Sequence, residues 1–364
     1  MKRILLLAII VSSCAVNDAT NTDEDCELVM NDFRFAVQEV EENYPGYCLL
    51  NNKQKKEYSF MRDSLDKLVS SCLLPEYDAI GKYLSWFHDP HLRTCWDAHA
   101  YLQKQSIDYE SYFDYSPMKV SRKVSDETYL IRFPSCDGDD PDMQWIIQSV
   151  KDYKKSDCKF LIIDIRGNGG GSDSFFKPYL ELLYDTPCKV AGADFFYTKK
   201  NLKQMKEYFP LKMFFLSLLH RREPERVNWP FVKSLSIRYM KKGTYPLAAA
   251  LIIDNNVGSS AEEMVIEIQA ASSRTRIYGK DNTFGCLDFS NCRPVSLPVC
   301  GQYFLIPMTI SHRWPEQSVD KEGLPPDICI PIQYPTILHD NIDEWVLWVS
   351  NDLETKSKAL RNEP

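Results

Sequence analysis

Two adjacent serines, Ser259 and Ser260, stand where an apolar run ending at Asp254 gives way to a helical pattern, in LIIDNNVGSSAEEMVIEIQ. Serine is a strong N-cap there, and Ser259-x-x-Glu262 and Ser260-x-x-Glu263 each match a capping box. A serine at a strand-to-helix turn can also do chemistry. The first-turn amides of the helix are unpaired and collect around it. On that reading the Ser260 hydroxyl is the nucleophile, and the Ala261 amide binds the oxyanion that develops beside it.

Three other stretches supply what such a nucleophile needs. LIIDIRGNGGGS, residues 161–172, runs a buried-type strand into four glycines among five residues. Glycines let the backbone take positive φ and approach a ligand, and successive amides can form an anion nest. The stretch is neither GxGxxG nor a P-loop, so it does not read as a nucleotide site. LSWFHDPHLRT, residues 84–94, offers His88 and His91 as candidate bases. VDKEGLPPDICIP, residues 319–331, is a turn leading into a short strand, and Glu322 in it can orient an imidazole.

The elements that must position these residues follow from periodicity. Residues 26–88 read mostly as helices. From about 118 the pattern changes to short β-like runs: TYLIRFPS, CKFLIIDI, LAAALIID, TRIYG and YFLIPMTIS. Helical stretches at 141–154, 173–185 and 260–272 lie between them, and NIDEWVLWVSNDLETKSKAL closes the chain. Strand and helix alternate, which predicts an α/β core with a partly parallel sheet. Residues 199–242 hold twelve Lys or Arg against three Glu, a local charge of +9 in a chain of net charge −8. We read them as a basic helical insertion with a solvated face. The sharper alternatives are a lid or a surface for anionic lipid head groups.

The chain of 364 residues opens on MKRILLLAIIVSSC: a basic start, a short apolar run, then small residues and a cysteine. The run is too short to span a bilayer and has the layout of an export signal. Its end resembles a bacterial lipobox, with cleavage before Cys14 and lipid on its sulfur. The acidic AVNDATNTDED that follows reads as a tether. The negative net charge argues against general nucleic-acid binding. Twelve cysteines include Cys286 and Cys292, close enough in sequence to pair in an oxidising compartment, and no CxxC or zinc pattern is present.

Together, and in this order, the four motifs resemble the tail-specific protease and tricorn-core family of serine peptidases. LIIDIRGNGGG is similar to its Asp-x-Arg-x-Asn-x-Gly-Gly signature, VGSSAEE to its nucleophile turn, YGKDNTFG to its Gly-x-x-Thr-x-Gly loop, EGLPPDICIP to its closing segment, and WFHDPHL to the histidine motif of its tricorn-like branch. The match runs over about residues 84–332, leaving out the 199–242 insertion. The resemblance implies Ser260 as nucleophile with Ser259 as turn and cap, and His91 as general base. It further implies Glu322 as the acidic member, and Gly170 with Ala261 as oxyanion donors. Where the processing-protease branch carries a lysine base, this chain has Cys286. Pro90 stands where the family has Gly or Ser. The spacing leaves no room for a PDZ module.

The expectation is a ClpP/crotonase-like α/β catalytic core with a helical N-terminal region and a helical insertion. Its parts are a lipoprotein signal (1–14), a tether (15–25), a helical region carrying the histidine motif (26–112), a peptidase core (113–340) and a closing helix (341–364). The function expected is peptide-bond hydrolysis by an endopeptidase or carboxy-terminal processing peptidase. It needs no cofactor or metal, takes polypeptide or peptide substrates, and binds no nucleic acid. The protein is expected to be anchored by lipid in a bacterial cell envelope. Ala15, rather than Asp, after the lipid cysteine points to the outer membrane. The alternative is a catalytically inactive module of the same fold that binds peptides or hydrophobic ligands.

Overall fold

The computed structural model describes residues 23–96, 114–219, 224–228, 235–237 and 246–361. The export signal and Cys14 lie outside them. At the centre is a six-stranded sheet: β1 (Val120–Lys123), β2 (Thr128–Arg132), β3 (Phe160–Asp164), β4 (Ala248–Ile252), β5 (Thr275–Gly279) and β6 (Ile328–Cys329). The spatial order is β6-β5-β4-β3-β2-β1. Every neighbouring pair is parallel except β1 with β2, which is antiparallel.

The continuous apolar run of β3 is explained by layers on both faces. Leu161 and Ile163 point to one side, where the helices Asp140–Lys155, Lys177–Leu183 and Ser260–Ala271 bury Ile146, Leu180 and Val265. Phe160 and Ile162 point to the other, against Trp345, Val346 and Val349 of the closing helix Glu344–Arg361. Side chains alternate across a strand, so a strand covered on both faces must be apolar throughout. Each such side chain contributes roughly 1.5–3 kcal/mol by leaving water.

The N-terminal helices Asp23–Asn43, Asn52–Ser70 and Glu76–Ser85 do not pack on that sheet. Phe33, Tyr58 and Leu84 join Phe289, Val295 and Phe304 from late in the chain in a separate apolar cluster. Strand Arg93–Thr94, which follows the histidine motif, pairs antiparallel with Tyr303–Ile306. A segment early in sequence is thereby tied to the far end of the core.

The insertion is only partly helical. The helices Lys199–Tyr208 and Pro210–Leu219 bury Leu202, Met205, Met213 and Leu216 against Phe195 and Val227. Two strands accompany them: Glu225–Asn228 pairs with Ala193–Tyr197, and Leu235–Ile237 with Cys188–Val190. Among the described residues, no helix is long and apolar enough to cross a membrane. Nor does any group of three or more His, Cys, Asp or Glu there suit a metal ion.

Candidate active site

The serine turn is built at the carboxyl ends of β3 and β4, where loops of a parallel sheet meet. Beneath it, Asp164 at the end of β3 lies between two arginines. Arg132 Nε donates to Asp164 at 2.7 Å and Arg166 Nη2 does so at 2.7 Å. Both arginines also bond Asp343 Oδ2 at 2.8 Å. All four side chains are fully buried. Burial pushes the Asp164 carboxyl up, but Arg166 and Arg132 outweigh it and hold it well below the usual range. The cluster clamps the start of the glycine loop.

That loop then rises to the serines. Asn168 Nδ2 donates to the Phe133 carbonyl at 2.9 Å, and its Oδ1 accepts from Gly170 N at 3.0 Å. Gly170 has φ +101°, and a Cβ there would lie 2.6 Å from Ser259 Cβ and 2.9 Å from Ser260 N. Only glycine permits this approach of loop to turn.

Ser259 has φ 53° and ψ −126°, a conformation non-glycine residues rarely adopt. Surrounding bonds impose it. Ser259 N donates to Cys286 O at 2.9 Å, Gly258 N to Asn168 O at 3.0 Å, and Glu262 N to Ser259 O at 2.8 Å. The Ser259 hydroxyl meets His91 Nε2 at 3.2 Å.

His91 reaches this point through an Asx-type turn. Asp89 Oδ1 accepts from His91 N at 2.9 Å, and Asp89 Oδ2 accepts from the Tyr44 hydroxyl at 2.7 Å. Pro90 is accommodated within that turn and does not keep the ring from the serine. Desolvation lowers the His91 pKa to about 4, opposed by a backbone hydrogen bond at Phe289, so the ring is neutral at neutral pH and able to accept a proton. On its other side Nδ1 lies 3.2 Å from Cys286 Sγ.

The geometry places several of the expected residues apart from one another. Ser260 does not face His91: its hydroxyl donates to the Gly171 carbonyl at 2.9 Å. The serine in contact with the imidazole is Ser259, because the left-handed backbone at the N-cap turns its side chain off the helix start. The Ala261 amide is spent on Gly258 O at 3.0 Å, and the Gly170 amide on Asn168. The amide left to stabilise an oxyanion beside Ser259 is that of Ser260, for which no partner is found among the described residues.

Glu322 is exposed, and none of its described hydrogen bonds or ion pairs reaches His91. Gly323, at φ +69°, packs its backbone against Thr283. Cys286 and Cys292 are unpaired thiols. Cys286 is directed at the His91 ring and Cys292 at the His91 carbonyl, 3.8 Å away. A disulfide does occur at Cys72.

Sequence reasoning also missed the role of Glu262. Its buried carboxylate accepts from Thr283 Oγ1 at 2.5 Å, Gly285 N at 2.7 Å, Cys286 N at 2.9 Å and Ser259 N at 3.2 Å. It locks the serine turn to the loop carrying Cys286. Burial outweighs these bonds and pushes its pKa up to about 7. The signal was present: Ser259-x-x-Glu262 places Ser259 at the N-cap, the one position of the pair with non-helical backbone.

A neutral imidazole on a strained serine, with an unpaired amide at the next residue, suits acyl transfer. The model of Peptidase family S41 matches residues 128–330, more than half of the chain. The chain belongs to that family and is a serine-type peptidase. Solved structures that share its fold include the following two. One is a candidate peptidase from Parabacteroides merdae, 17% identical, covering 84% of this chain and 90% of that one, with a TM-score of 0.54. The other is mature CPAF complexed with lactacystin, 11% identical, covering 93% and 99%, with a TM-score of 0.60. No curated protein matches the sequence.

Proposed function

We propose that the protein hydrolyses peptide bonds with Ser259 as nucleophile and His91 as general base. The 3.2 Å contact between Ser259 Oγ and His91 Nε2 carries this reading. His91 takes the hydroxyl proton as Ser259 attacks the substrate carbonyl. The tetrahedral oxyanion lies against the Ser260 amide, an interaction worth roughly 3 kcal/mol per donor at such sites. His91 then protonates the leaving amine, and water repeats the sequence to free the acyl group. Every step uses groups of this chain, the substrate and one water.

We further propose that the protein is exported and held in the cell envelope by lipid on Cys14. This rests on the amino-terminal pattern alone. Cys14→Ala is expected to move the protein from the membrane to the soluble fraction.

The catalytic reading is tested with a fluorophosphonate probe and an unstructured peptide library. Ser259→Ala is expected to lose probe labelling and at least ~10³-fold in cleavage. Ser260→Ala is expected to keep both within about tenfold, since its hydroxyl only braces Gly171. Loss with Ser260→Ala and retention with Ser259→Ala would return the nucleophile to Ser260.

A further inference from the structure

The imidazole of a serine hydrolase works only if its second nitrogen is held, because that contact selects the tautomer and aims the ring. Here no carboxylate meets that nitrogen among the described residues. Asp89 bonds the His91 backbone and Tyr44, Glu262 bonds the 283–286 loop and the Ser259 amide, and Glu322 is exposed. Asp320 accepts from Leu287 N and Asp288 N at 2.6 and 2.8 Å. The side-chain atom at Nδ1 is a sulfur.

We infer that Cys286 is the positioning residue of the site. Alongside the backbone hydrogen bond that the ring makes at Phe289, its sulfur, 3.2 Å away, accepts the Nδ1–H of His91, so that Nε2 is left unprotonated toward Ser259 Oγ, also at 3.2 Å. The inference rests on the Ser259–His91 reading above.

Two backbone hydrogen bonds and burial fix the placement of the sulfur. The Cys286 carbonyl accepts from Ser259 N at 2.9 Å, and its amide donates to Glu262 Oε2 at 2.9 Å. Its side chain is fully buried. One residue thus touches the nucleophile through its backbone and the base through its side chain. The titratable groups around the pair are Asp89, Arg93, Glu262, Cys292 and Asp320. Burial, reinforced by Asp320, Asp89 and Glu262, pushes the Cys286 thiol well up, so it stays a neutral S–H. It neither attacks substrate nor takes the proton. It accepts one weak hydrogen bond, which strengthens when His91 becomes imidazolium. A thiol stabilises that cation less than a carboxylate does, which agrees with the low pKa of His91.

The test compares wild type, Cys286→Ala and Cys286→Ser by fluorophosphonate labelling. The limiting rate, the probe half-saturation concentration and the thermal midpoint are measured from pH 4 to 8. Cys286→Ala is expected to lower the limiting rate about tenfold or more, with half-saturation unchanged within about twofold. Cys286→Ser, whose hydroxyl is the stronger acceptor, is expected to recover most of that rate and to move the acid limb upward in pH.

An alanine variant with wild-type rate and pH profile overturns the inference. So do equal losses in both folded variants, which would mean that the sulfur only fills space. Absence of labelling in wild type, or labelling that survives Ser259→Ala, would overturn the Ser259–His91 reading instead.

Discussion

The floor of the site, below the glycine loop, and its wall, around His91, hold buried charge in opposite ways. In the floor Arg132 and Arg166 face Asp164 and Asp343, each charge meeting its opposite within 2.8 Å. Asp164 is held ionised. In the wall Asp89 is pushed up to about 8 by burial and by Asp320, Glu262 up to about 7 by burial, and His91 down to about 4 by burial. No lysine or arginine pairs with Asp89 or Glu262 among the described salt bridges. The floor fixes shape through paired charge. The wall keeps its groups near neutral, which suits a base that must be uncharged before it acts.

The first way to break the comparison is Asp343→Ala. It leaves two buried guanidinium groups short of a partner and is expected to cost about 3–5 kcal/mol by denaturant unfolding. A cost below about 1 kcal/mol would mean that the floor is not a clamp.

The second uses pH. Asp164 has a depressed folded pKa, so its contribution is present above the unfolded carboxylate value and is lost as pH falls below it. Asp89 is the reverse. Its raised folded pKa gives a contribution present below the unfolded value and lost as pH rises toward about 8. Asp89→Asn retains an acceptor for His91 N and a group for the Tyr44 hydroxyl. Relative to wild type it is expected to gain about 1 kcal/mol or more in stability between pH 5 and pH 8. Parallel stability curves for the two proteins would show that Asp89 is ionised throughout.

The smallest effect is expected at Glu322. Outside both regions, Glu322→Ala should leave cleavage within about twofold and stability within about 0.5 kcal/mol. A large fall in cleavage rate would put a carboxylate back into the catalytic group.

Local pattern carried much of the fold. Apolar runs at 160–164, 248–252 and 275–279 became the central strands, and the periodic stretch at 141–154 became the helix Asp140–Lys155. These depend on side-chain period and burial, which a short window contains. The insertion was harder, since the strands Glu225–Asn228 and Leu235–Ile237 have partners far along the chain and are only four and three residues long, too short for a period to mark them.

The sequence by itself determined that a glycine loop follows a buried strand, that a serine turn opens a helix, and that His91 is the histidine to watch. Only the tertiary structure decided which serine His91 meets. Ser259 and Ser260 are one residue apart, and a single left-handed backbone conformation sends their hydroxyls to different partners. It likewise decided which amides remain free, because Gly258 and Asn168 take those of Ala261 and Gly170. And it put a sulfur, not a carboxylate, beside Nδ1 of an imidazole 195 residues away in the chain. Hydrogen bonds between distant segments are absent from any local window, and they assign the chemistry.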